Sequence, residues 1–267
     1  MAMSIPSAHS LQPGLIGQED HVSYVELPPP VELAHYIDRL YVLETTNISQ
    51  SYPVVADACA DLLFDCSGVH APLLSLSLSL PLPSTLPAGV CLVGARLKPG
   101  GIGRLLKTEA APLDGSLSPM HALPMMRNWQ PRDLRGDPQR LLERLCEQLD
   151  GLPASDSEQQ LVEAALLRLD TEVESLTAKA LDISERHLRR LLARRAGLPP
   201  KRYQRVRRFQ LSLSALAGQP DIALATLAAE AGYSDQAHLG HDWLDLSGYT
   251  PGYWRGRFLQ EGRPASG

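Results

Sequence analysis

The stretch Ile183-Ser-Glu-Arg-His-Leu-Arg-Arg190 decides how this chain of 267 residues is interpreted. Ser184 can offer its hydroxyl to the exposed amides at the start of a helix, and the leucines that follow at helical spacing predict a buried face. Arg186, Arg189 and Arg190 lie at i, i+3 and i+4, so they share the opposite face. Arginines there can pair with guanine edges in a major groove or with phosphates. The plain alternative is a solvated, charged helix face.

The same pattern returns further along the chain. Leu176–Arg190 and Leu227–His241 each predict a helix of small residues, a short turn, a capping residue and a second helix. The turn holds Asp182 in the first unit and Gly232 in the second, and both residue types can adopt a left-handed φ. Each segment therefore predicts a helix-turn-helix unit.

The second unit carries fewer charges on its second helix. The positions of the three arginines are taken by Ala237, Gly240 and His241. Gln236 can still hydrogen-bond an adenine, and His241 can contribute to the same face. Asp242 is expected to place a repulsive charge near any phosphate, whereas Trp243 is expected in the core. The first unit should therefore supply most of the affinity.

The distribution of charge supports a basic C-terminal module on an acidic body. The whole chain has a net charge of -5, which taken alone would argue against a partner of negative charge. From Ser175 to Arg257, however, there are 13 Lys/Arg against 7 Asp/Glu. A helix entered after Pro199-Pro200 is predicted to connect the two units. The side chains expected at the DNA backbone are Ser184, Lys201, Arg202 and Arg205; other arginines of that helix are expected to pair with acids.

The region before the basic module has the signals of strands. Short runs such as Asp61–Asp65 and Val90–Leu97 are rich in β-formers and are bounded by Pro, Asp or Gly. Leucines alternate with serines from Leu74 to Leu80, which predicts either a strand with one apolar face or a low-complexity loop. Lys98-Pro-Gly-Gly101 predicts a turn followed by a short helix. Residues 107–136 are expected to be irregular, and two helical patterns follow them.

These signals divide the chain into segments of different kinds. We expect a flexible tail (1–20), a β-rich sensor or dimerisation domain (21–136), a helical connector (137–170), a DNA-binding domain (171–258) and a second tail (259–267). The fold class is then α+β multidomain, with a β-rich N-terminal domain, following helices and an all-α C-terminal domain.

The C-terminal module resembles the AraC/XylS family of bacterial transcription regulators over about Leu176 to Phe258. The resemblance rests on Ile183–Arg190, on Gly197-Leu-Pro-Pro-Lys-Arg-Tyr203 and on Gly248-Tyr-Thr-Pro251 with its flanking residues. It implies two helix-turn-helix units in one monomer, joined by a long helix, that enter successive major grooves roughly 34 Å apart. The sequence departs from the family at Asp182, where a small residue is usual, and at His241, where Arg is usual.

The N-terminal part resembles, more loosely, the small β-rich domain attached to one branch of these regulators. Pro28–Leu43, Asp61–Phe64 and Gly94–Gly101 carry that likeness. It implies a cupin-like barrel that senses a ligand or mediates dimerisation. The partners expected are double-stranded DNA, a small-molecule effector, RNA polymerase and a second copy of the chain, in the bacterial cytoplasm and without a membrane span or a cofactor.

Two other classes of protein stay open. A cupin-like metal enzyme would need convergent ligands, but His35, His70 and His121 are isolated, so no catalytic or metal site is expected. Asp57 and Asp61 could line a pocket, although capping of turns is the plainer role. The scattered cysteines fit reduced thiols, with a redox switch of Cys59 and Cys66 as the less favoured alternative. The third class is a protein-binding adaptor that no longer reads DNA.

Overall fold

The N-terminal part of the protein is built from two antiparallel sheets. The computed structural model describes residues 12, 22–46, 50–68, 72–106, 114–119, 137–150 and 155–261. The strands are β1 (Val22–Leu27), β2 (Ile37–Thr45), β3 (Gln50–Val54), β4 (Ala60–Asp65), β5 (Leu73–Leu76), β6 (Leu82–Leu86), β7 (Cys91–Leu97) and β8 (Ser116–Pro119). Six of them form one sheet in the order β1-β2-β7-β4-β5-β8, and β3 pairs with β6. The predicted β-rich N-terminal region is confirmed.

The leucine–serine stretch forms a strand over only part of its length. Strand β5 ends at Leu76, and the chain then leaves the sheet. The three serines are buried, as are all of the leucines except Leu80, which is exposed, so both faces are covered up to Ser79. Ser79, for example, donates its hydroxyl to Asp114 Oδ2 at 2.6 Å, which satisfies a polar group that burial would otherwise penalise.

The turn after β7 has the predicted conformation and positions a short helix. Gly100 has φ of +80°, a value that only glycine adopts without strain, and helix α1 (Ile102–Leu105) follows. The expectation of an irregular 107–136 is wrong for Ser116–Pro119, because that segment pairs with β5 as the edge strand β8. The rest of 107–136 lies outside the described residues.

The remaining described elements are helices. They are α2 (Pro138–Asp150), α3 (Ser157–Leu169), α4 (Glu174–Ala180), α5 (Glu185–Arg195), α6 (Pro200–Gly218), α7 (Leu224–Glu230), α8 (Gln236–Ser247) and α9 (Pro251–Glu261). Asp156 caps α3 by accepting from the amide of Gln159 at 2.8 Å. The helix α9 continues three residues into the tail expected at 259–267. Across the described part of the chain, no helix is long and apolar enough to cross a membrane.

One hydrophobic core runs from the larger sheet into the helices. Its buried members include Phe64 and Leu97 of the sheet, Ile102 of α1, Leu188 of α5 and Trp243 of α8. Helix α1 packs very closely against the C-terminal end of α5. A Cβ added at Gly103 would lie 2.6 Å from the carbonyl oxygen of Arg195. The strand-rich region therefore packs directly against the end of the predicted recognition helix α5.

Candidate DNA-binding surface and the cavity between the sheets

The first helix-turn-helix unit consists of α4, a tight turn and α5. Asp182 in the turn has φ of +54°, and the amide of Ile183 donates to the carbonyl oxygen of Ala178 at 3.1 Å. The hydroxyl of Ser184 accepts from the amide of His187 at 3.1 Å, which caps α5. The left-handed turn and the cap expected from the sequence are both confirmed.

Helix α5 separates an apolar face from a cationic one. Leu188, Leu191 and Leu192 are buried, whereas the three predicted base-reading arginines are exposed. Arg189 pairs with Glu174 and with Glu185, the latter at 2.7 Å. Arg186 and Arg190 make no ion pair with any residue that the structure describes. These two guanidinium groups therefore extend one turn apart into solvent.

The other end of α5 is tied to the connector helix α3. Arg194 Nη2 lies 2.5 Å from Glu158 Oε2, and Arg195 pairs with both Glu158 and Asp156 at 2.7 Å. Hydrogen bonds from Arg195 and Arg194 lower the pKa of the Glu158 carboxyl. The charges of these two arginines are balanced by carboxylates at the start of α3, so they do not add to the open cationic face.

The second unit repeats the first in its turn and its cap. Gly232 has φ of +74°, and the amide of Tyr233 donates to the carbonyl oxygen of Ala228 at 2.8 Å. Asp235 Oδ1 accepts from the amide of His238 at 2.7 Å, and this bond lowers the pKa of the Asp235 carboxyl. The internal repeat predicted from the sequence is confirmed in three dimensions.

The exposed face of α8 carries the two predicted base-contacting residues, but it does not carry the acidic side chain that was expected there. Gln236 and His241 are exposed, as a role in base contact would require, and Trp243 is fully buried. The expectation for Asp242 is wrong: its side chain is buried and pairs with Arg205 Nε at 2.7 Å. The carboxylate of Asp242 is thus a packing group between α8 and α6, with no surface charge to oppose a phosphate.

The basic helix α6 divides its cations between solvent and the interior. Lys201 and Arg202 are exposed near its start. Arg205 reaches Asp245 as well as Asp242, at 2.6 Å, so the expected backbone contact of Arg205 competes with two carboxylates. Arg207 pairs with Asp170 at 2.7 Å. The expectation that some arginines of this helix pair with acids is confirmed.

A cavity of about 300 Å³ lies between the two sheets of the N-terminal region. Its walls are mostly apolar, and its polar end combines Tyr41, Asp61 and Arg96. The Tyr41 hydroxyl donates to Asp61 Oδ1 at 3.1 Å, and Arg96 Nη2 donates to Asp61 Oδ2 at 2.9 Å. Arg96 also reaches Asp57 Oδ2 at 3.0 Å. Sequence reasoning named Asp61 as an alternative pocket residue, but missed Tyr41 and Arg96.

The loop after β3 connects this polar end with the helical region. Asp57 accepts from the amide of Cys59 at 2.9 Å, which is the turn-capping role expected for it. The preceding Ala56 donates its amide to the carbonyl oxygen of Leu246 at 2.8 Å. The Ala56 carbonyl oxygen in turn accepts from Gln210 Nε2 at 2.8 Å. The loop thus contacts Arg96 at the polar end of the cavity on one side and α6 and α8 on the other.

The residues considered for metal or redox chemistry form no metal site where the structure describes them. Within the ranges that the structure describes, no group of three His, Cys, Asp or Glu side chains could hold a metal ion. His70 and His121 lie outside those ranges, and His35 is exposed beside the ring of Tyr36. The cysteine that faces Cys66 is Cys91 on the neighbouring strand, with 2.7 Å between the sulfurs, and not Cys59.

Comparison with known proteins matches two separate segments of the chain to different families. Residues 177–257 match the family described as "Helix-turn-helix domain", over the segment whose turns, caps and exposed arginines are set out above. The C-terminal region is an AraC-type helix-turn-helix domain. Residues 25–119 match a domain of unknown function, DUF6597. The protein is a DNA-binding transcription regulator.

Similar solved structures include several of ToxT from Vibrio cholerae. One form has 10% identity and a TM-score of 0.39, covering 88% of this chain and 97% of that one. ToxT bound to (E)-4-(8-methylnaphthalen-1-yl)but-3-enoic acid has 11% identity and a TM-score of 0.40, covering 89% and 98%. ToxT bound to an unsaturated fatty acid has 10% identity and a TM-score of 0.39, covering 91% and 97%. No curated protein matches the chain.

Proposed function

We propose that the protein reads DNA sequence chiefly through Arg186 and Arg190 of α5, without catalysis of its own. The observation that carries this proposal is that both guanidinium groups are exposed and lack an ion pair with any described residue, on the second helix of a correctly capped unit. Arg189 lies between them and pairs with two glutamates. These pairs fix the position of its guanidinium group and offset part of its charge, so it would make a weaker contact with DNA. A base edge in the major groove is the partner that such a pair of arginines recognises.

The second unit would add a weaker contact through Gln236 and His241. An exposed Gln can bond an adenine edge, but a His ring offers fewer hydrogen-bond donors than an arginine. Phosphate contacts would come from Ser184, Lys201 and Arg202, since these exposed groups stand near the starts of α5 and α6. A regulator of this kind works in the cytoplasm, where bacterial DNA lies.

The N-terminal region would control DNA binding through a small molecule in the cavity between the sheets. The loop that carries Ala56 and Asp57 supports this proposal, because it contacts both the polar end of the cavity and the two helices α6 and α8. Contacts with a second copy of the chain and with RNA polymerase stay predictions from the sequence.

The test begins with enrichment of genomic DNA fragments by the full-length protein. The dissociation constant for an enriched fragment is then measured at two salt concentrations for the wild type, Arg186→Ala and Arg190→Ala. Each variant should lose about 1–3 kcal/mol of binding free energy and discriminate less at one base position. Unchanged affinity and unchanged salt dependence in both variants would contradict the proposal and favour the adaptor.

Arg194→Ala is the matched control for this test. Arg194 is an exposed arginine of the same helix, but it is paired with Glu158. Removing it takes away the same charge and the same side chain at the other end of α5. It should leave base preference unchanged, so a loss of preference equal to that of Arg186→Ala would show that charge alone is being measured.

A further inference from the structure

Two cysteines face each other where the pairing of β4 with β7 ends. The last partners in that pairing are Asp65 and Leu92, so the next residues outward are Cys66 and Cys91. The amide of Cys66 donates to the carbonyl oxygen of Cys91 at 2.9 Å, which continues the ladder by one step. Residues directly opposite each other in an antiparallel pair have Cα atoms about 4.5–5.5 Å apart. A disulfide spans that separation without backbone movement.

Both cysteine side chains project from the same face of the sheet. Asp65 and Leu92 line the cavity between the sheets, so the next residue on each strand points to the opposite side. Cys66 accordingly belongs to the hydrophobic core, and Cys91 packs against that core. Their sulfurs, both of free thiols, lie 2.7 Å apart. The sulfurs of a disulfide lie about 2.05 Å apart, so small rotations of the two side chains would bring these to bonding distance.

A small reagent can reach the two thiols from outside. Cys66 and Cys91 line a pocket of about 430 Å³ that is separate from the cavity between the sheets. Its rim includes the exposed Gly89. Asp65 and Glu44 also line this pocket, and their carboxylates disfavour the approach of an anion. An uncharged oxidant of low mass therefore suits the site.

We propose that Cys66 and Cys91 form a reversible disulfide when the protein meets a small-molecule disulfide. One thiolate attacks a sulfur of the reagent, which breaks the S–S bond of the reagent, releases one thiol and leaves a mixed disulfide. The other thiolate then attacks the protein sulfur of the mixed disulfide and releases a second thiol. The protein loses two protons and two electrons, and the reagent gains them.

The bridge would close the segment of chain that carries much of the cavity wall. Cys66 and Cys91 are 25 positions apart along the chain, and β5 and β6, which both line the cavity, lie between them. A cross-link over such a loop restricts the unfolded chain and so stabilises the folded one. Disulfides in a reducing compartment are usually transient and redox-sensing. The pair would thus be a redox switch that sets the stability of the region around the cavity.

The first test uses the full-length double variant Cys59→Ala/Cys146→Ser, which keeps only the thiols of Cys66 and Cys91. The reduced protein is incubated for hours with 2-hydroxyethyl disulfide, because burial raises the pKa of both thiols and so lowers their thiolate fraction. Intact mass spectrometry should show the loss of two hydrogen atoms per chain without added reagent, and dithiothreitol should reverse it. Two remaining thiols, two attached reagent groups or a disulfide between two chains would overturn the proposal.

The second test uses the otherwise wild-type protein, so it does not depend on the folding of the double variant. Peptide mapping of the oxidised protein should find Cys66 joined to Cys91. Cys91→Ser should abolish the disulfide within the chain, and the matched control Cys146→Ser should keep it. A disulfide of Cys66 with another cysteine in either protein would overturn the assignment.

Thermal unfolding tests the effect of the bridge on stability. The midpoint of the wild type should rise by several degrees on oxidation and return when dithiothreitol is added. The midpoint of Cys91→Ser, treated in the same way, should not rise. No rise in the wild type, or an equal rise in Cys91→Ser, would overturn the stabilising role of the bridge.

Discussion

The amide nitrogen of Ala56 donates a 2.8 Å hydrogen bond to the carbonyl oxygen of Leu246. Leu246 lies in the last turn of α8, where the carbonyl groups of a helix have no partner within the helix. A loop of the strand-rich region thus completes the C-terminal end of α8. Ala56 is followed directly by Asp57, which pairs with Arg96 at the polar end of the cavity. A structural change at that end can therefore reach α8 through a single peptide unit.

Gln210→Leu tests how firmly the two regions are joined. The variant keeps the side-chain volume but leaves the Ala56 carbonyl without its buried 2.8 Å bond, so the free energy of unfolding should fall by about 1–3 kcal/mol. Urea unfolding measures this change. Gln204→Leu, which loses a half-buried bond inside the helical region, should cost less; an equal or greater cost for Gln204→Leu would contradict the argument.

Gly94→Ala tests the packing at the cavity wall. A Cβ at Gly94 would lie 2.1 Å from Cζ of Tyr41, so the Tyr41 ring must move and its bond to Asp61 must break. We expect a loss of about 1–3 kcal/mol in unfolding free energy, measured by urea unfolding. Gly240→Ala in α8 meets open space and should instead stabilise the helix by about 0.5–1 kcal/mol. Similar effects of the two substitutions would contradict the role given to Gly94.

Arg205 should contribute to the thermal stability of the protein, whereas Lys201 should contribute to DNA binding. Arg205→Ala leaves the buried carboxylate of Asp242 without its 2.7 Å partner, so thermal stability should fall, while the salt dependence of DNA binding changes little. Lys201→Ala should keep its thermal stability and lower the slope of log affinity against log salt by about 0.9 for one lost phosphate. The reverse pattern would show that Arg205 leaves its carboxylates to contact DNA.

The sequence predicts the helix-turn-helix units well because their signals are local. A cap such as Ser184 acts on an amide three residues away, and the turn residues Asp182 and Gly232 set their own φ. The buried face of each helix repeats within a few residues. Each of these features can be recognised without knowing what packs against the segment.

The roles of charged side chains were harder to predict because they depend on distant partners. Asp242 is exposed or buried according to the position of Arg205 on another helix, and the sequence gives no crossing angle between α6 and α8. In the cavity, Asp61 lies opposite Arg96 only through the pairing of β4 with β7, and Asp57 reaches Arg96 from a loop. Strand register and loop placement of this kind are set by tertiary packing.

His241→Arg should strengthen the second unit. Residue 241 is exposed on α8, where the family has Arg, and an Arg there adds a full charge and up to five donors. We expect higher affinity for the enriched DNA and a steeper dependence on salt. Binding is measured at two salt concentrations, and His241→Gln serves as the uncharged control. No gain from His241→Arg over His241→Gln would mean that α8 does not approach the duplex.

The stability of the protein should depend on Tyr36 at alkaline pH. Burial raises the pKa of Tyr36 from 10.0 to about 12, and its hydroxyl donates to the carbonyl oxygen of Leu149 at 2.7 Å. The folded protein therefore keeps this proton more tightly than the unfolded chain, so the associated stability is complete below about pH 10 and is lost as the pH rises to about 12. Tyr36→Phe should cost about 1 kcal/mol at neutral pH, and its deficit against the wild type should shrink between those two pH values. Unfolding in urea across this range measures the difference, and Tyr253→Phe, at an exposed tyrosine, is the control. A deficit of Tyr36→Phe that stays constant up to pH 12 would show that the hydroxyl does not titrate in its buried site.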